Sequence, residues 1–417
     1  MTVIGWRGRA LLSVSLALIS TPSVAQDVLT LDEALRRSGV EAPATPPEPN
    51  PRIVGPVAEA EAARALVDQA RLRPNPELSF EAENIAGTGA FSGLSATEYT
   101  LSVGQRIELG GKRSARIRSA QAEVAVADIR ATLAVADLAL NVRERYVAAV
   151  AAQARVELAQ DVVQRSRELA RIAGELVKAG REPPLRSLRA SATLAEAEAQ
   201  LEAAQAASLA ARSALGALWG ADSVPPQVST SFPGIIPPAA LLASRDALAL
   251  RLASAEREAA RADIARQRSL ATPDPVVSAG VRRFAESDDQ AFLVGVSIPL
   301  PFWNRNQGNV AAAQSRLRAA TAREAVVQTE YEQQVTSARA EYLAAETREQ
   351  TLSESSLPQA EEALRLVRIG YRAGRFPLIE VLSAAEARDG IREALIQARE
   401  ARGRTAARLL RLAAQGE

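Results

Sequence analysis

The chain is written twice. LSVGQRIELGGK at 101–112 aligns without a gap on VGVSIPLPFWNR at 294–305, a shift of 193. Each is an alternating strand that breaks in a turn and ends on a base. The same apolar spacing follows in both copies: Ile117, Ala120, Val124 and Ala127 answer to Val310, Ala313, Leu317 and Ala320. That three-and-four spacing is the seam of a coiled coil. Further on, AGREPPLRSLRA at 179–190 matches AGRFPLIEVLSA at 373–384 at a shift of 194. The stretch between the motifs therefore differs by one residue between copies. Independent linkers would not keep such a length, whereas two helices that run side by side and turn at the same height would. The spacing predicts long helices over about 112–178 and 305–372, each spanning ~100 Å at 1.5 Å per residue.

Each copy also carries strands. In the first they fall near 76–84 and 98–109, with Tyr99, Leu101, Val103, Ile107 and Leu109 on one face and Thr100, Ser102, Arg106 and Glu108 on the other. In the second, a strand near 275–284 partners the apolar row Phe292, Val294, Val296, Ile298 and Leu300. Residues 85–97 read as a glycine-rich hairpin loop and 285–290 as a shorter one. Alternation over about ten residues fits a lipid-facing strand with a wet lumen, and equally a half-buried strand of a soluble sheet. Four strands cannot close a membrane barrel, since such barrels start at about eight. If these strands span a membrane, two or three chains share one barrel.

Composition removes most chemistry. With no Cys there is no disulfide framework, zinc–cysteine site or thiol nucleophile, and with no His the commonest general base and metal ligand is absent. A net charge of +1 from 50 basic and 49 acidic residues gives no reason to expect nucleic-acid binding. Aromatic residues make up 4%, which suits long, closely packed helices better than a thick core. Arg7 and Arg9, the apolar run from Ala10 to Ile19, and Ser23-Val24-Ala25 read as a cleaved secretory leader at 1–25. No later segment is an apolar run long enough for a membrane helix.

The run Arg73-Pro-Asn-Pro-Glu-Leu78, the strand ending in Ile107-Glu-Leu-Gly-Gly-Lys-Arg113, the run Ile298-Pro-Leu-Pro-Phe-Trp-Asn-Arg305 and the duplicated Ala-Gly-Arg turns resemble the TolC-type outer-membrane efflux family. Within it they are most similar to the CzcC-like branch, the outer component of cobalt–zinc–cadmium export systems. The resemblance covers nearly everything after residue 27. It implies a mainly α fold with a small β part, in which duplicated strand–strand–helical-hairpin repeats form a trimeric α-helical periplasmic barrel under a shared twelve-stranded outer-membrane β-barrel. The chain then divides into the leader at 1–25, an N-terminal periplasmic segment at 26–56, a first efflux repeat at 57–219, an equatorial linker at 220–245 and a second repeat at 246–417. The Pro-rich stretch Glu41–Pro56 reads as an insert that interrupts the usual short N-terminal helix, leaving Asp32–Ser38 without a clear place.

By the same resemblance the chain is a passive exit duct from periplasm to exterior and not an enzyme, with heavy-metal cations as the substrate class and organic compounds as the alternative. Its partners would be two further copies of itself, a periplasmic membrane fusion protein, an inner-membrane RND transporter and outer-membrane lipid. No cofactor, metal site or nucleic acid is implied. A periplasmic adaptor is the competing class, but it would carry one helical hairpin and a lipoyl-type module, where this chain has two hairpins and short strand pairs. The turns Ala179-Gly180-Arg181 and Ala373-Gly374-Arg375 would lie at the periplasmic tip and dock the adaptor. The family narrows this tip into an aperture with a Tyr before the Gly and acids after it. Tyr371 matches the first and Glu380 one acid; Ser383 holds the other acidic position, and the first-copy equivalents are Arg186 and Arg189. Three Glu380 carboxylates would either attract cations or be locked by a basic partner.

Overall fold

The computed structural model describes residues 28–40, 50–221, 223–237 and 246–415. The leader at 1–25 and most of the Pro-rich stretch lie outside the described residues. The elements are α1 (Leu31–Arg37), α2 (Pro51–Arg71), β1 (Glu77–Glu83), β2 (Glu98–Arg106), α3 (Lys112–Lys178), α4 (Pro184–Gly216), α5 (Leu248–Ser269), β3 (Val276–Phe284), β4 (Gln290–Ser297), α6 (Gln307–Gln350), α7 (Leu357–Arg372) and α8 (Leu378–Leu412). The order helix, two strands, long helix, returning helix thus occurs twice. None of the described helices is long and apolar enough to cross a membrane.

The helices form a single-layer wall. Going down α3, it touches α2 and α5 over about its first third and α4 and α8 over the rest, and α6 lies beyond α5 and α8. Short helices meet end to end. The Asn50 amide, at the N-cap of α2, donates to the Leu218 carbonyl just past α4, and Leu248 N–H, opening α5, donates to the Ala414 carbonyl just past α8. The buried residues of α6 are Ala313, Ala320, Tyr331, Ala338 and Ala345, mostly seven apart. Alanine at that spacing lets helices approach closely while burying little area per residue.

The thick packing is at mid-height. Leu29 and α1 lie on α3 over Leu138, Val142, Tyr146 and Val150, closed by Leu215, Leu218 and Val228. Tyr146 Oη donates to the Leu29 carbonyl at 3.0 Å, and Leu29 bridges Val228 in parallel. Asp32–Ser38 therefore has a place, as a short helix capped by Thr30 in a girdle around the wall.

Three expectations need correction. The Pro-rich stretch is not wholly an insert: α2 starts at Pro51, because Asn50 caps it and a proline at the first helical position gives up only an N–H that has no partner anyway. Strand β2 stops at Arg106 and β4 at Ser297, so Ile107 and Leu109, and likewise Ile298 and Leu300, lie past the strands. Gln105 breaks the apolar row of β2 and donates to the Pro74 carbonyl, and Leu109 N–H is taken by the Asp274 carboxylate.

The second long helix is not continuous. A π-turn, Thr351–Ser356, separates α6 from α7, and Leu357 N–H reaches back five residues to the Leu352 carbonyl. Pro358 follows, with no N–H to restore the α pattern. This turn locates the odd residue between the copies. Leu138 and Tyr331, and Ala152 and Ala345, are buried pairs still 193 apart, while the tips are 194 apart. A five-residue reach holds one residue more than an α turn, so the extra residue sits in the π-turn and both hairpins still end level.

Candidate functional site

The strands form one antiparallel sheet in the order β1-β2-β3-β4. Leu78 pairs with Val103, Phe80 with Leu101, Leu101 with Val281, and Val281 with Phe292. Cross-strand partners share a face, so these residues make one apolar surface, and it is bare: Leu78 is 71% exposed, Phe292 91% and Val294 81%. The other face carries Ser79, Glu83, Glu98, Thr100, Ser102 and Arg282. Arg282 holds Glu98 at 2.7 Å and Glu83 at 2.8 Å and donates to Thr100 Oγ1 at 2.9 Å. An apolar outside with a charged, cross-linked inside is the pattern of a strand between lipid and water. Below the sheet, Lys112 at the start of α3 makes a mostly buried ion pair with Asp274 at 2.7 Å, tying the strands to the tube.

At the other end, both hairpins close the same way. Gly180 (φ +68°) and Gly374 (φ +71°) have left-handed backbones. Gly374 N–H donates to the Tyr371 carbonyl and Arg375 N–H to the Gly370 carbonyl. Gly180 and Arg181 do the same toward Val177 and Leu176. These paired bonds satisfy carbonyls that the helix end leaves open, and a side chain at the glycine would cost about 1–2 kcal/mol. Ala179, Arg181, Ala373 and Arg375 are exposed around the turns.

The aperture residues divide into two groups. Tyr371 is half-buried, and Glu380 and Ser383 are exposed one turn apart on α8. Arg186 ion-pairs with Glu182 of its own turn at 3.2 Å, so it is not held by Glu380 within the chain. Arg186 and Arg189 instead line a cavity of about 460 Å³ between α3, α4 and α8, walled by Leu185, Ile379 and Leu382 and reached by Glu386. Sequence reasoning missed Glu386. The signal was its spacing of four from Leu382 and seven from Ile379, which puts it on their face and not on that of Glu380.

A second missed feature is a ladder of ion pairs between α3 and α8. Asp137 pairs with Arg411, Glu144 with Arg408 at 2.9 Å, Arg155 with Glu393 at 3.0 Å and Glu400 at 2.9 Å, Asp161 with Arg392 at 2.5 Å, and Arg165 with Asp389. Glu349 of α6 adds pairs with Arg399 and Arg402 of α8. Burial opposes the charge of Arg155, but its two glutamates outweigh this and raise its pKa. Arg165 goes the other way: burial, then the adjacent Arg388, pushes its pKa down to about 10. At that level Arg388 also holds Asp389 at 2.8 Å.

A family model described as outer membrane efflux protein matches residues 48–221 and 240–415. Over 338 residues the chain is 32% identical to the cobalt-zinc-cadmium resistance protein CzcC of Cupriavidus metallidurans, covering 78% of each. It is 35% identical over 292 residues to the nickel and cobalt resistance protein CnrC of the same organism, covering 67% of this chain and 69% of that one. Among solved structures, the fold superposes on the outer membrane protein VceC of Vibrio cholerae with a TM-score of 0.75 at 19% identity, covering 93% of this chain and 96% of that one. A bare apolar sheet above a duplicated helical wall, matched along nearly its whole length by that family model, identifies the chain: it belongs to the outer membrane efflux protein family and is an outer-membrane channel with most of its length in the periplasm.

Proposed function

We propose that the chain is the exit duct of a tripartite pump for divalent heavy-metal cations, assembled as a homotrimer with a periplasmic membrane fusion protein and an inner-membrane RND-type transporter. The similarity to CzcC over 78% of both chains supports the substrate class. The trimer is supported by a four-stranded sheet whose two edges are unpaired among the described residues, and which closes only when copies join. The duct does no chemistry; the pump supplies energy and most of the selectivity. The exposed turns Ala179–Arg181 and Ala373–Arg375 are the adaptor's docking points. The test is a deletion of the gene in its host. Growth should fall on zinc, cobalt, cadmium or nickel salts, with the mature chain recovered from outer membranes in a complementing strain. Sensitivity confined to organic dyes and detergents would replace the substrate with organic compounds.

Tyr371, Glu380 and Ser383 line the aperture in this reading, and Glu380 acts there as a cation filter. The Arg186–Glu182 pair within one turn favours the filter over a Glu380–Arg186 lock. Glu380→Gln should lower the cation preference of single channels in planar bilayers. A raised conductance would restore the lock, and unchanged conductance and selectivity would leave Glu380 a solvated surface residue.

A further inference from the structure

The internal duplication specifies how one copy joins the next in the barrel. The first strands correspond at a shift of 199, since Pro74-Asn-Pro76 answers to Pro273-Asp-Pro275. The second strands correspond at 193, as do the helices that follow. The two hairpin ladders agree with this pairing, because Glu77 faces Gly104 and Val276 faces Ser297. Motif, ladder and helix thus give one consistent copy-to-copy map.

The junction between the copies is already visible inside the chain, where β2 pairs with β3 and Val103 faces Ala279. Among the described residues the outer edges of β1 and β4 are unpaired, and in a ring β4 stands to the next β1 as β2 stands to β3. We infer that β4 pairs antiparallel with β1 of a second copy in the register that sets Val296 opposite the partner's Phe80 and Val294 opposite the partner's Ala82. This rests on the homotrimer proposed above and fixes its strand register.

Two checks come from general physics. All four of those side chains lie on the bare apolar face, as a register of the right parity requires; a one-residue slip would turn the partner's acids to lipid. On the polar face, Ser297 falls opposite the partner's Ser79, a pair that can exchange a hydroxyl hydrogen bond as Ser79 and Ser102 do within the chain at 2.7 Å. The row Phe80–Leu101–Val281–Phe292 would then arrive opposite the partner's Asn84, a stagger of four residues per copy. Over three copies and twelve strands this stagger gives a strand tilt of about 35°, at the lower edge of the usual range for barrels. A two-residue slip one way gives about 19°, outside that range, and the other way about 46°, at its upper edge. The second slip is the alternative that experiment must separate.

The chain has no cysteine, so engineered pairs report without background. Val296→Cys is combined in turn with Phe80→Cys, Leu78→Cys and Ala82→Cys in the full chain, and disulfides are formed by mild oxidation in outer membranes. Val296 with Phe80 should give covalent dimers and trimers on denaturing gels at least several-fold above the other two pairs. Val294→Cys with Ala82→Cys should do the same, which keeps the test open if the first pair assembles poorly. Preferential cross-linking of Val296 with Ala82 or Leu78 would overturn the register and leave the trimer standing. No covalent oligomer from any pair, in chains that reach the outer membrane, would remove the shared barrel itself and the inference with it.

Discussion

Removing one heptad from α3 alone, below the girdle, should abolish export, while removing a heptad at one height from α3, α4, α7 and α8 together should retain most of it. Seven residues are about 10.5 Å of helix, and a heptad deletion keeps each helix's buried face nearly in phase. The one-sided deletion therefore leaves each helix able to form but puts the tip at Gly180 a full 10 Å out of level with the tip at Gly374. It also slides the α3–α8 ladder, so that Arg165 no longer meets Asp389 and the cleft holding Arg186, Arg189 and Glu386 loses a wall. The matched deletion shortens the tube and preserves every neighbour relation. Metal tolerance of strains carrying each form, with outer-membrane yield as a control, reads the difference. Equal export from both would argue against a wall of length-matched helices.

The second large effect is expected at Asp389. Its carboxylate, only 15% exposed, lies between the Arg165 and Arg388 guanidiniums, and Arg368 and Arg392 add positive charge nearby. Asp389→Ala would leave two half-buried cations facing others of the same sign. Breaking one side of such a buried pair costs about 3 kcal/mol, visible as an earlier loss of helix signal on heating the detergent-solubilised channel. Asp389→Asn, which keeps acceptors in place, should lose less. Arg165→Met with Asp389→Leu should recover most of the stability, since replacing both partners with apolar groups removes the desolvation cost along with the attraction. If the double variant is as weak as Asp389→Ala, packing and not charge carries the site. The pKa shift of Arg165 sets a separate pH signature. Its folded value of about 10 lies well below the ordinary guanidinium value. Between those limits the unfolded chain holds more protons, so stability contributed here rises with pH across that window and is flat below it.

Much of this architecture could be read from residue order. The duplicated strand motif and the duplicated Ala-Gly-Arg turn set the number of repeats and the level of the tips, because a left-handed backbone after a helix asks for glycine and the glycines were there to count. The apolar row on the strands was legible from its alternation, up to Gln105. The ladder was not. Aspartates, glutamates and arginines are scattered over every helix of this chain, and Asp161 finds Arg392 only once two helices more than 200 residues apart are set in register. Glu386 was hidden for a related reason: nothing in α8 alone says which face will meet α4. The start of α2 was obscured by proline, which reads as a breaker and here serves as an opener.

The π-turn at Thr351–Ser356 bears on how such a wall withstands change over time. A ring of rigid staves must keep every stave the same length, and each inserted or deleted residue would tilt the rim. A joint that can take up one residue relaxes that rule, and among the described residues only the second repeat has one. Small length errors in the lower half of α6–α7 can be absorbed by shifting the joint along the helix, whereas α3, continuous for 67 residues, has nowhere to put them. Drift in length should therefore accumulate in one half of the molecule, with the other half acting as the ruler against which it is trimmed.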